Sequence, residues 1–198
     1  MREILPGVLT WRHASPEKKI DFNGWYVETS GEAVIVDPPP GTEELFEAIA
    51  SRPAPKAIIL TNKDHVRSSE EFARRYCVPI LIHQADAPLA DARIGGVFKH
   101  EEDLPAGLRA LRVADAKSPG ECALLLRRAN AIIVGDALVG KPAGYVSMLP
   151  AEKFADHAKA REGVRALLAY PFDALLVGDG EPLAEGGRRA LVAFLDGS

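Results

Sequence analysis

Short runs of β-branched, aliphatic and aromatic residues recur along the first third of the chain. The stretches ILPGVLTWRH (4–13), NGWYVET (23–29) and EAVIVD (32–37) read as strands. Ser30-Gly31 marks a hairpin turn between the second and third, and Asp37-Pro38-Pro39-Pro40-Gly41 ends the third, because proline cannot donate to a ladder. Thr42 then caps a helix over TEELFEAIA, where apolar residues fall at helical spacing. A strand AIIL (57–60), a helix capped by Ser68 or Ser69 and running through EEFARRY, and a strand PILIH (79–83) continue the alternation.

After residue 95 the pattern turns to strands without long helices: GVFKH, GLRALRV, ECALLLRR and NAIIVGDAL, with Ala129-Asn130 turning between the last two. A long helix from about 151 to 169, a strand ALLVG (174–178) and a final helix through RRALVAFL close the chain. Each half gives strands, then a helix, then a strand running into a loop with Asp. Two such halves predict an α+β fold, a four-layer αββα sandwich made of a single domain over residues 1–198.

Composition narrows the function classes. The 198 residues are 47% hydrophobic and 26% charged, as in a soluble globular protein, with a net charge of −4. That charge speaks against nucleic acid as a partner. The pairs Arg74-Arg75, Arg127-Arg128 and Arg188-Arg189 have acids nearby and read as solvated faces. No stretch approaches the roughly 20 apolar residues of a membrane helix, and MREILPGVLT lacks the apolar core of a secretory signal. The expectation is a cytoplasmic protein with no membrane partner. Cys77 and Cys122, without CxxC spacing, read as buried thiols.

The chemistry gathers where strands end. Asp37 ends VIVD, Asp64 follows IILTN, Asp136 ends IIVGD and Asp179 follows LLVG. A single Asp there is an ordinary turn former. Four of them at strand ends, where α/β sheets collect ligand groups, would bring like charges together and call for a cation.

NGWYVETSGEAVIVDPPPG, LTNKDH (60–65), AKSPGE (116–121), IIVGDAL (132–138) and LLVGDGEP (175–182) follow one another in an order that resembles the metallo-β-lactamase superfamily. The corresponding family motifs are the opening hairpin, the His-x-His-x-Asp-His turn, the Gly-His-[Ser/Thr]-Pro-Gly loop, a strand ending in Gly-Asp and a late Gly-His-Gly. The resemblance runs from about residue 4 to 182. It implies a hydrolase scaffold, often dimeric, so that a homodimer is the assembly it suggests. The site departs from the pattern. Both leading histidines of the turn are missing, with Asn62 in their place, Lys117 replaces the loop histidine, and Asp179 replaces the last one.

Carried over residue by residue, the family's first metal position is lost, while the second keeps Asp64, His65 and Asp136 and gains Asp179. Three carboxylates and one imidazole make an oxygen-rich set suited to one Zn, Mn, Fe or Mg ion. Two readings stay open. In one, a single ion on Asp64, His65, Asp136 and Asp179 supports hydrolysis of an ester, thioester or phosphoester, with Asp64 and Lys117 catalytic and Lys117 polarising the substrate oxygen. In the other, Lys117 neutralises the carboxylates, no metal binds, and the fold serves as a ligand-binding or regulatory protein. Either way the partner is a small molecule.

Asn62, Arg67 and Tyr145 are the candidate substrate contacts. Arg67 has an alternative role as a cap or ion pair with Glu70 or Glu71, the favoured one. Asn23-Gly24 reads as a turn near the cleft. His83, at the end of PILIH, is expected to bond its own turn, and His13, His100 and His157 lack ligand spacing. No GxGxxG, GxSxG or Cys-His pattern suggests a dinucleotide or a protein nucleophile.

Overall fold

The computed structural model describes residues 1–29 and 31–197. One sheet has seven strands in sequential order: β1 (Arg2–Leu5), β2 (Val8–Ser15), β3 (Ile20–Thr29), β4 (Glu32–Val36), β5 (Pro55–Leu60), β6 (Ile80–His83) and β7 (Gly96–Phe98). The first four pair antiparallel, and β4 through β7 run parallel. The second sheet has the order β12-β11-β10-β9-β8, built from β8 (Asp103–Leu104), β9 (Leu108–Arg112), β10 (Cys122–Leu126), β11 (Ala131–Val134) and β12 (Ala174–Val177). Only β11 and β12 are parallel in it.

Three apolar clusters set the layers. Trp25, Val36, Ile59, Leu124, Ile133 and Leu176 belong to one that lies between the two sheets. The outer face of the first sheet packs on α1 (Glu43–Ala50) and α2 (Ser69–Tyr76) through Phe46, Ile49 and Phe72. The outer face of the second packs on α3 (His157–Arg165) and α4 (Gly187–Asp196) through Val164, Leu191 and Leu195. The layering is αββα, as the sequence predicts. Strands buried on both faces explain why β4, β5, β11 and β12 read as unbroken aliphatic runs.

Local signals explain most boundaries. Thr42 caps α1 by accepting from the Leu45 N–H at 3.3 Å. Ser68 precedes α2 but makes no side-chain cap bond. The expected turn at Ser30 lies outside the described residues, while Thr29 and Glu32 pair across it.

Four expectations need correction. The single strand over 4–13 is two, because Gly7 at φ +71° turns the chain between β1 and β2. The long helix over 151–169 is broken: a 3₁₀ turn at Ala151–Lys153 stops, and Asp156 starts α3 afresh as its N-cap, its carboxylate accepting from the Lys159 N–H. Asn23-Gly24 is no turn but the middle of β3. Cys122 is buried as expected, whereas Cys77 is exposed, in a left-handed conformation at the C-cap of α2.

Candidate functional site

The four strand-end acids follow the C-terminal ends of β4, β5, β11 and β12, which brings both sheets to one place. Asn23 fastens the two sheets there. Its N–H donates to Gly178 O at 2.7 Å, and its Nδ2 donates to Val177 O at 2.9 Å and Gly180 O at 2.7 Å. Glycine precedes Asp136 and Asp179 for steric reasons. A Cβ on Gly135 would fall 2.2 Å from Thr61 Oγ1, and one on Gly178 would fall 2.8 Å from the His65 ring. The two Gly-Asp steps therefore make room for the residues that β5 delivers.

Asp37, fully buried and left-handed at φ +46°, is the anchor. Its carboxylate accepts from the Thr61 N–H at 2.8 Å and from the Thr61 hydroxyl, and it lies 2.8 Å from His65 Nδ1. The other face of the imidazole meets Asp136, with His65 Nε2 3.3 Å from Asp136 Oδ1. Burial and the nearby Arg67 charge oppose protonation of His65. Asp37 and Asp136 together outweigh them, and its pKa is raised to about 10. His65 is thus held as a cation between two carboxylates.

Three further cations complete the centre. Lys117 Nζ donates to Asp136 Oδ2 at 2.6 Å and lies 2.8 Å from Asp64 Oδ2, while Lys63 Nζ lies 2.7 Å from Asp64 Oδ1. Against the opposing effect of burial, His65 and Lys117 hold the Asp136 carboxyl far below the usual range. Burial likewise opposes the lowering of Asp64, and Lys117 and Lys63 prevail. The guanidinium of Arg67, which has φ +43°, forms a short ion pair with Asp179 and donates to the carbonyls of Asn23 and Asp37 at 3.2 and 3.3 Å. It also lies 4.5 Å from the Phe22 ring centre. The expected pairing with Glu70 or Glu71 does not form; Arg67 turns to Asp179, and Glu70 faces Arg74 instead.

The sequence-based candidates separate in space. His65, Asp136 and Asp179 each offer a donor atom, and these atoms lie within 4.8 Å of one another, as a group that could hold a metal ion. Asp64 is outside that group, partly exposed between two lysines. Asn62 is fully buried, with its side-chain oxygen accepting from the Asp64 N–H at 2.8 Å, so it does not line a cleft. Tyr145 is exposed and lines a different hollow with Leu183 and Arg189. His83 Nδ1 accepts from the Ala85 N–H at 3.2 Å, the local turn bond expected of it.

Two buried acids went unnoticed in the sequence. Asp86 accepts from the Lys63 and Gly120 N–H groups and from Ser118 Oγ, fixing the Ser-Pro-Gly loop that carries Lys117. Glu121 is fully buried beside the centre, and burial and the Asp136 charge push its carboxyl well above the usual range. Neither has a strand-end signature, and Glu121 starts an apolar strand where an acid looks like a surface residue.

As they are paired, these side chains do not fit a divalent ion. Metal ligands must be deprotonated and free to turn a lone pair on the ion. Here His65 Nδ1 faces Asp37, its Nε2 has both Asp136 and Arg67 at 3.3 Å, and the Asp179 oxygen faces Arg67. Asp37, Asp64, Asp136 and Asp179 meet His65, Lys63, Lys117 and Arg67, four charges of each sign.

Comparison with known proteins gives a consistent picture. A family model described as metallo-beta-lactamase superfamily matches residues 3–196. A metallo-beta-lactamase from Pontibacter korlensis superposes with a TM-score of 0.77 at 16% identity, covering 100% of this chain and 98% of the other. The metallo-beta-lactamase DIM-1 gives 0.80 at 14% identity over 99% and 96%. TTHA1623, solved in a di-iron-bound form, gives 0.67 at 22% identity over 87% and 93%. No curated protein matches the sequence.

Proposed function

The chain belongs to the metallo-beta-lactamase superfamily, and we propose that it is a member whose own side chains take over the charge balance that metal ions provide in metal-bound relatives, leaving a ligand-binding protein without metal-dependent hydrolysis. The observation that carries this reading is the pairing of Asp37, Asp64, Asp136 and Asp179 each with a protein cation. A buried ion pair is costly to form, and breaking one leaves a charge with no partner. A metal entering this centre has to displace Arg67 from Asp179 and from the His65 ring before it gains those ligands. Lys117, matching the family's loop histidine, and Arg67, which no family motif marks, act together; neither alone balances the set.

Hydrolysis assays test the proposal. Chromogenic esters, thioesters and phosphodiesters should be turned over no faster than in buffer, with or without added Zn, Mn or Fe. Turnover that depends on one of these ions and disappears with chelator would overturn it.

A second reading is favoured by the closeness of the His65, Asp136 and Asp179 donor atoms. It places one divalent ion on those residues once Arg67 has swung away. The two readings differ in what Arg67 does: under the second, Arg67→Ala leaves metal affinity unchanged or raises it slightly; under the first, it creates affinity where wild type has none.

A further inference from the structure

Beside the centre lies a cleft of about 590 Å³, a size ordinary for small-molecule sites. Its floor is Asp136 and Asp179, each already paired, so the floor offers no free negative charge. Its rim carries Lys18 from the β2–β3 turn, Lys141 from the segment after β11, and Lys153 from the 3₁₀ turn before α3. None of these three forms an ion pair among the described residues. Lys18 Nζ sits 5.1 Å from the Phe22 ring centre, and Lys141 Nζ donates only to the Lys19 carbonyl at 3.3 Å. Ile20, Val139 and Met148 make an apolar wall between the floor and the rim.

Resting on the reading above, we propose that this cleft binds a phosphate monoester of a small apolar alcohol or phenol, with Lys18, Lys141 and Lys153 receiving the phosphate and the wall receiving the organic group. Three ammonium groups without an ion pair around one opening raise the local concentration of anions, even on a chain of net charge −4. Lysine acts as a point charge with rotatable donors, which suits a compact dianion; a planar carboxylate is better met by the fork of an arginine. A phosphate monoester carries about −1.5 to −2 at neutral pH, enough to engage more than one lysine. A bare phosphate ion would leave the apolar wall and most of the cleft unfilled.

The test is calorimetric titration of the whole chain with p-nitrophenyl phosphate at low salt, beside inorganic phosphate and p-nitrobenzyl alcohol. Saturable binding is expected. The double variant Lys141→Ala/Lys153→Ala should weaken it about tenfold or more, and both comparators should bind at least about tenfold more weakly. Thermal unfolding of the double variant should match wild type, since its lysines are exposed and hold no acid. A charge reversal, Lys153→Glu, should weaken binding further. No saturation by about 10 mM, a double variant that binds like wild type, or inorganic phosphate binding as tightly as the ester would each overturn the assignment. The same probe separates the two claims, because steady release of p-nitrophenol would overturn the non-hydrolytic reading while leaving the ligand class standing.

Discussion

The buried centre and the cleft beside it are both rich in cations, and they differ in what those cations face. In the centre, Arg67, Lys117 and His65 point at carboxylates within hydrogen-bond reach. On the rim, Lys18, Lys141 and Lys153 line an opening and form no ion pair. A cation whose partner is built into the fold supports structure, whereas one without a partner is available for a ligand. The same residue types therefore carry different roles, set by the position of the nearest acid.

Removing a partner from the centre should produce the largest effect. Asp136→Ala takes one of two carboxylate partners from each of His65 and Lys117, leaving Asp37 and Asp64, and urea unfolding should show a loss of about 3 kcal/mol. A loss below about 1 kcal/mol would mean that the centre is not a structural unit.

Acid removes the same charges without mutation. Asp136 and Asp64 have folded pKa values below the ordinary carboxylate value of 3.8, so their contribution is fully present above that pH and is lost as pH falls beneath it. Unfolding free energy measured from pH 7 to pH 2 should fall steeply below about 4, and less steeply in Asp136→Asn. A curve unchanged by that substitution would break the assignment.

Arg67→Met should come next, at about 2 kcal/mol, because it leaves Asp179 without its partner. Added zinc should raise the melting temperature of this variant and leave that of wild type unchanged. Lys141→Ala on the rim should come last, within about 0.5 kcal/mol of wild type. A rim substitution as damaging as one in the centre would erase the distinction between the two regions.

Much of the fold is legible in the sequence, because strands buried on both faces leave aliphatic runs and each of four such runs is followed by an Asp. The order of those runs also carries the family resemblance. The pairing within the site is legible only in part. Lys117 can be matched to the acids through its place in the Ser-Pro-Gly loop. Arg67 cannot, because its nearest acids in sequence are Glu70 and Glu71, while its partner Asp179 lies 112 residues away. The left-handed backbone at Arg67 and the joining of β3 to β12 through Asn23 decide that choice, and neither has a local signature. Asp64 and Tyr145 show the converse. Both stand where a motif or a Gly-rich loop suggests chemistry, yet Asp64 is held between two lysines and Tyr145 faces another hollow.

Metal content per chain tests the central claim most directly. The protein should be purified without chelator or metal-affinity resin, incubated with Zn, Mn or Fe, desalted and measured by elemental mass spectrometry. The self-neutralised centre predicts far less than one equivalent of any ion. Retention of about one equivalent, lost in Asp136→Ala but kept in Lys141→Ala, would contradict it and return His65, Asp136 and Asp179 to the role of metal ligands.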